Sequence, residues 1–294
     1  MSDRSAESWR ERGKYIDVPE GRVFVVELRA EASDGDATPV LVLHGFPTSS
    51  WDFVDAAMLV SKHRRVVLFD FLGFGYSDKP ADHGYSLFEQ ADVAQLVARA
   101  CGLSRAHVWA HDMGTSVATE LCARRERGLL PFAMESLVLL NGSVHIDMAS
   151  LTLGQRILLS PAGEVFARWS TKRVFAAQMR RIFGRAPREE DLDAMWTLLV
   201  RANGARRLPA IIQYVHERTR FRRRWIGALE RLDVPALIAW GKKDPVCALA
   251  IAEQLAKEIP GAELTIWDEL GHYPQVEAPE VVAAGVGAFW GRLG

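Results

Sequence analysis

The chain has 294 residues, 49% of them hydrophobic and 25% charged, an ordinary globular usage that excludes wholesale disorder and suits a core domain carrying an insertion. No apolar run approaches the ~20 residues of a bilayer span, and a net charge of −1 creates no global field to recruit nucleic acid. The cysteines Cys101, Cys122 and Cys247 form neither a disulfide framework nor a CxxC zinc pattern, and Met1 to Lys14 is charged without an apolar stretch, so a cytoplasmic protein without an integral membrane segment is expected.

In chain order, the turn-forming Pro19-Glu20-Gly21 precedes an alternating strand over Arg22–Arg29. Short, wholly apolar runs follow at Val40–Leu43, Val66–Phe69, His107–Ala110 and Leu137–Leu140, as expected of strands buried on both faces. Helical stretches separate them. In Ser86–Cys101, Ser86 followed three residues later by Glu89 forms a capping box that marks the helix start. From Val165 to Trp225 the strand signals stop: 15 Lys and Arg face 5 Asp and Glu, a net of +10, and Leu192, Met195, Trp196 and Leu199 recur at helical spacing. The alternation then resumes with a strand at Val234–Trp240, a helix at Leu249–Glu258, a strand at Glu263–Trp267 and a closing helix at Pro279–Trp290. This order predicts an α/β fold with a mostly parallel, doubly wound sheet. Its core runs over residues 1–142 and 231–294, with a helical lid over 143–230.

The chemistry-bearing residues sit at the carboxyl ends of predicted strands. Ala110-His111-Asp112-Met113-Gly114 links a buried strand to a helix, and its small residues on either side of Asp112 permit the strained turn called a nucleophile elbow. His44-Gly45-Phe46-Pro47 follows the Val40–Leu43 strand, where a backbone N–H lies beside such an elbow. The amides of Phe46 and Met113 are therefore candidates for an oxyanion hole. Asp244 follows the strand Val234–Trp240, and His272 follows Glu263–Trp267. Nucleophile, acid and histidine thus occur in the order of a hydrolase triad.

These motifs resemble the α/β-hydrolase superfamily, in particular the aspartate-nucleophile branch of epoxide hydrolases and haloalkane dehalogenases. Three further stretches resemble the mesoderm-specific transcript group: Asp70 to Pro80 (DFLGFGYSDKP), Tyr85 to Asp92 (YSLFEQAD) and Phe221 to Trp225 (FRRRW).

A carboxylate nucleophile displaces a leaving group at saturated carbon and forms an alkyl-enzyme ester, which argues against an ordinary serine esterase or lipase. Asp112 is then the nucleophile, while His272, oriented by Asp244, activates the water that hydrolyses the ester. No metal or organic cofactor is required. A dehalogenase needs side-chain N–H donors for halide, usually next to the elbow and on the His-Gly loop, where Met113 and Phe46 offer none; the lid tryptophans Trp169 and Trp196 are candidate substitutes, with core packing as their leading role. An epoxide hydrolase needs an acid for the opening ring oxygen. Tyr214 resembles a ring-opening tyrosine, and His145 is the candidate second donor. His44, Pro47, Phe166 and Trp169 are expected around an apolar pocket for a small to medium substrate. His111 reads as an elbow packing residue. The lid arginines are solvated helix faces paired with an acidic core or, in a sharper reading, a weak contact surface for anionic lipid or an acidic partner. No nucleic-acid motif is present. Epoxide hydrolysis leads, hydrolytic dehalogenation by the same triad is the alternative, and a non-catalytic or sensor protein on the same fold is the third reading.

Overall fold

The computed structural model describes residues 4–30 and 37–293. The first residues of the charged amino-terminal stretch, 1–3, lie outside the described part; Ala6–Glu11 forms a short helix capped by Ser5.

Eight strands form one sheet: β1 (Gly13–Val18), β2 (Gly21–Leu28), β3 (Val40–Leu43), β4 (Val66–Phe69), β5 (Arg105–His111), β6 (Ala133–Leu140), β7 (Ala236–Gly241) and β8 (Glu263–Trp267). Their spatial order is β1-β2-β4-β3-β5-β6-β7-β8. The pairs β1/β2 and β2/β4 are antiparallel, and all the others are parallel. Every side chain of β3, β4 and β7 is buried, as their unbroken apolar runs require when helices cover both faces. The edge strand β1 carries no such run. Its residues Lys14, Tyr15 and Asp17 are exposed, so it has neither the apolar run nor the alternation that predicts a strand, and it forms only because the Pro19–Gly21 turn folds it back onto β2.

The capping box is present at the start of the helix Leu87–Ala100: the Glu89 carboxylate accepts from the Ser86 amide at 2.9 Å, and the Ser86 hydroxyl accepts from Phe88 at 3.2 Å. Between β6 and β7 the chain is helical, from the turn at Ile146–Met148 to the helix Arg222–Glu230. A buried carboxylate ties this insertion to the core. Glu120, on the helix Met113–Glu126, accepts from Arg224 through both oxygens at 2.7 and 2.8 Å and from the Trp225 indole at 2.9 Å. The FRRRW stretch is therefore an anchor, and some of the insertion's arginines do pair with acids of the core. Just past the insertion, Arg231 bonds Glu126 at 2.7 Å, and Arg222 meets Asp147 at 3.3 Å within the insertion. Among the described residues, no helix is long and apolar enough to cross a membrane.

Candidate active site

β5 ends at His111, and the chain turns at Asp112 with φ 46° and ψ −112° before the helix begins at Met113. A non-glycine residue held there is strained by about 1–3 kcal/mol, a cost that the surrounding packing offsets. That packing is close. A Cβ on Gly114 would lie 2.3 Å from the Leu43 carbonyl oxygen, and one on Gly45 would lie 2.8 Å from the Asp112 Cβ. The two loops can approach this closely only with glycine at both positions.

The approach places the Phe46 amide 2.8 Å from Asp112 Oδ2, to which it donates. Met113 is buried at the helix start. On the far side of Asp112, the His272 Nδ1–H donates to Asp244 Oδ2 at 2.7 Å. Because a carboxylate only accepts, this bond fixes the tautomer and leaves Nε2 as the basic nitrogen. Burial lowers the His272 pKa, but the charge and hydrogen bond of Asp244 outweigh it and raise the value well above 6.5. Asp244 is itself held by the Val246 and Cys247 amides at 2.7 and 3.0 Å and by the Asn141 side chain at 2.8 Å. The structure thus brings Asp112, Asp244 and His272 to one end of the parallel sheet, with the Phe46 amide bonded to Asp112.

Supporting groups lie behind this constellation. His44 is not a lining residue: its Nδ1–H donates to the Gly45 carbonyl at 2.8 Å and its Nε2 accepts from the Phe71 amide at 3.0 Å, so it holds the loop. Burial brings its pKa down to about 4, and the ring is neutral near neutral pH. The His111 Nε2–H donates to the His272 carbonyl at 2.7 Å, tying the elbow to the histidine loop. The Tyr273 hydroxyl donates to the Phe46 carbonyl at 3.3 Å, and Thr48 bonds the buried Asp52 beneath it.

A cavity of about 70 Å³ opens on His272, Phe46 and Pro47 and is walled by apolar side chains, among them Phe166. Its polar side chains besides His272 are Thr152, Gln155, Ser170 and Gln178. Two of the expected residues lie elsewhere. Trp169 is 74% exposed because it caps the end of the helix Gly163–Arg168 on the outer face. His145 is buried, but its Nε2 is bonded to Glu258 at 2.6 Å and its Nδ1 faces Arg222, so both nitrogens are taken away from the cavity. Trp196 packs against Phe175.

Tyr214 is not among the residues that line this cavity, but it lies in the interior. It is buried with its ring 5.8 Å from that of Phe46, and burial, reinforced by the charge of Asp112, raises its pKa. One turn further along the helix Tyr214–Arg220, Arg218 is fully buried with its guanidinium 4.6 Å from the Tyr214 ring centre. It donates to Ser116 at 2.8 Å, to Ser143 and to the Asp112 carbonyl at 3.3 Å, and it lies 3.9 Å from Asp112 Oδ1. Sequence reasoning missed Arg218 among fifteen lysines and arginines; its signal was the four-residue spacing from Tyr214, which puts both on one helix face. It also missed Asn141, whose signal was a polar residue directly after the apolar run of β6.

The sequence profile of the alpha/beta hydrolase fold family matches residues 38–279, and the chain belongs to that family. It is 40% identical over 285 residues to the putative hydrolase LipZ of Mycobacterium tuberculosis, covering 96% of this chain and 97% of the relative. It is 35% identical over 286 residues to the mesoderm-specific transcript homolog protein of Bos taurus, covering 92% and 84% respectively. Among solved structures, a haloalkane dehalogenase from Bradyrhizobium elkani superposes with a TM-score of 0.79 at 23% identity, over 96% of this chain and 98% of that one. At that identity the likeness concerns the fold.

Proposed function

We propose that this protein is a hydrolase that opens an epoxide to a vicinal diol through a covalent ester on Asp112. The observation that carries the reading is the hydrogen bond from the Phe46 amide to Asp112 Oδ2. On this reading the two carboxylate oxygens do different work: Oδ2 stays in the oxyanion hole, and Oδ1 is the attacking atom.

In the first half-reaction Oδ1 attacks a ring carbon, the carbon–oxygen bond of the ring breaks, and the ring oxygen takes the proton of Tyr214. A buried tyrosine with a raised pKa keeps that proton until an alkoxide-like oxygen forms. Arg218 then supports the negative charge left on the phenol, the part a second donor would play in place of His145. In the second half-reaction water gives a proton to His272 Nε2 and attacks the ester carbon, and the charge on Oδ2 meets the amides of Phe46 and Met113. Collapse breaks the bond between the ester carbon and Oδ1, so Oδ1 departs as an oxygen of the diol and the water oxygen takes its place in the carboxylate. The diol leaves with the proton held by His272, and the proton released as Asp112 returns to carboxylate restores Tyr214. The apolar cavity suits a small, mainly apolar epoxide: by the yardstick of ~10–15 Å³ per water, it holds roughly five water-sized groups.

Dehalogenation by the same triad is the second reading. It is favoured by the amides of Gln155 and Gln178 on the cavity wall, which are N–H donors of the kind a departing halide needs. Product analysis separates the two. Diol formation from a small epoxide by the wild type, absent in Asp112→Ala, supports the epoxide reading; halide release from an alkyl halide with no diol formation overturns it.

A further inference from the structure

Three of the most exposed large apolar side chains among the described residues belong to the insertion, Leu153 at 68%, Val165 at 62% and Trp169 at 74%, and Val174 of the same stretch is half-exposed. They belong to three successive helices and their ends, Leu153–Leu158, Gly163–Arg168 and Lys172–Ile182. The same stretch carries six lysines and arginines against one acid, Glu164. Lys172 and Arg180 are paired with Asp193 and Glu189, whereas Arg156, Arg168, Arg173 and Arg181 have no ion-pair partner among the described residues. Burying four cations and a tryptophan against a protein would need matching acids and a shaped socket. An anionic lipid surface accepts both at once, the cations at the headgroups and the apolar side chains below them.

The position of this face gives the pairing a purpose. Leu153, Val174 and Arg181 border an open groove of about 500 Å³, and its walls at Thr152, Gly154, Phe166, Gln178, Ile182 and Val246 are shared with the cavity that reaches His272. We infer that the face formed by these three helices docks on an anionic phospholipid bilayer, so that the groove opens toward the lipid and an apolar substrate passes from it into the cavity. The docking stands on the surface residues alone; only the passage of substrate rests on the reading of the site given above.

The test is co-sedimentation of the full chain with vesicles of mixed phosphatidylglycerol and phosphatidylcholine and with vesicles of phosphatidylcholine alone. Binding to the anionic vesicles that weakens as salt rises is expected. Arg168→Gln combined with Arg173→Gln should weaken it by roughly twenty-five-fold, taking about fivefold per arginine near the surface. Leu153→Ser combined with Trp169→Ser should weaken it by at least about tenfold. Leu129→Ser, which removes another highly exposed leucine outside the insertion, should leave it unchanged. No binding to anionic vesicles at low salt overturns the inference, as does binding insensitive to both double variants. A wild-type dimer that the Leu153→Ser, Trp169→Ser variant dissociates also overturns it and gives the face to a second copy of the chain. Diol formation from a water-soluble epoxide, measured on the same preparations, separates the two proposals: activity without vesicle binding removes the docking alone, and binding without activity removes the epoxide reading alone.

Discussion

Arg218 lies 3.9 Å from Oδ1 of Asp112 and stacks on Tyr214, so the guanidinium joins the proposed nucleophile to the proposed acid. A buried carboxylate without a nearby cation is costly. Here one buried arginine offsets that cost while leaving Oδ2 to the Phe46 amide.

Arg218→Lys keeps the charge but cannot reach Ser116, Ser143 and the Asp112 carbonyl with one ammonium. Formation of the Asp112 ester should slow by roughly a hundredfold, the usual size for loss of one transition-state donor. Its hydrolysis should change far less, because that step uses His272. Single-turnover mass measurements follow both steps; equal slowing of the two would deny Arg218 a part in ring opening.

Asn141 sits at φ 38°, and its amide reaches both Asp244 and the two backbone groups of Gly241. Asn141→Gly tolerates that backbone but removes the bonds. A loss of about 2 kcal/mol in denaturant unfolding is expected. Ester hydrolysis should slow with it as His272 loses its firmly held partner, and a variant of unchanged stability and rate would contradict this role.

Glu120→Ala strips four donors, one of them on Arg124, of a buried acceptor and leaves Arg224 without its partner. Breaking such a pair costs about 3–5 kcal/mol. Urea unfolding of the variant should show a lower midpoint, and a midpoint within error of wild type would remove Glu120 as the anchor of the insertion.

His107 is buried with its ring stacked on Trp290, and burial, with help from Arg64 and Arg105, brings its pKa down to about 3. The unfolded chain takes up this proton near pH 6.5, and the folded one does so only near pH 3. Its contribution to stability is therefore intact above pH 6.5 and is lost as pH falls toward 3. His107→Gln should flatten the acid side of the stability curve by about one proton, ~1.4 kcal/mol per pH unit within that window. Parallel curves for the two proteins would rule this out.

The parallel core was legible because β3, β4, β5, β6 and β7 contain apolar runs that only a sheet covered on both faces can use. The placement of Asp112, Asp244 and His272 at its carboxyl end followed from strand order. What stayed hidden depends on contacts across the insertion. One arginine among fourteen is buried against the elbow because Ser116 and Ser143 accept its protons, and neither serine stands out in the chain. His145 and Trp169 carried suitable chemistry in suitable places, but Glu258 and solvent claimed them, a competition that local pattern does not record.

The central claim is a covalent intermediate on Asp112, and the most direct measurement is the intact mass of His272→Gln after exposure to pools of epoxides and of alkyl halides. Without the base the ester should form and persist. The account predicts a gain equal to a whole epoxide that is absent when Asp112 is also replaced. A gain only from the halide pool, equal to the alkyl halide less hydrogen halide, or no adduct from either pool, would contradict it.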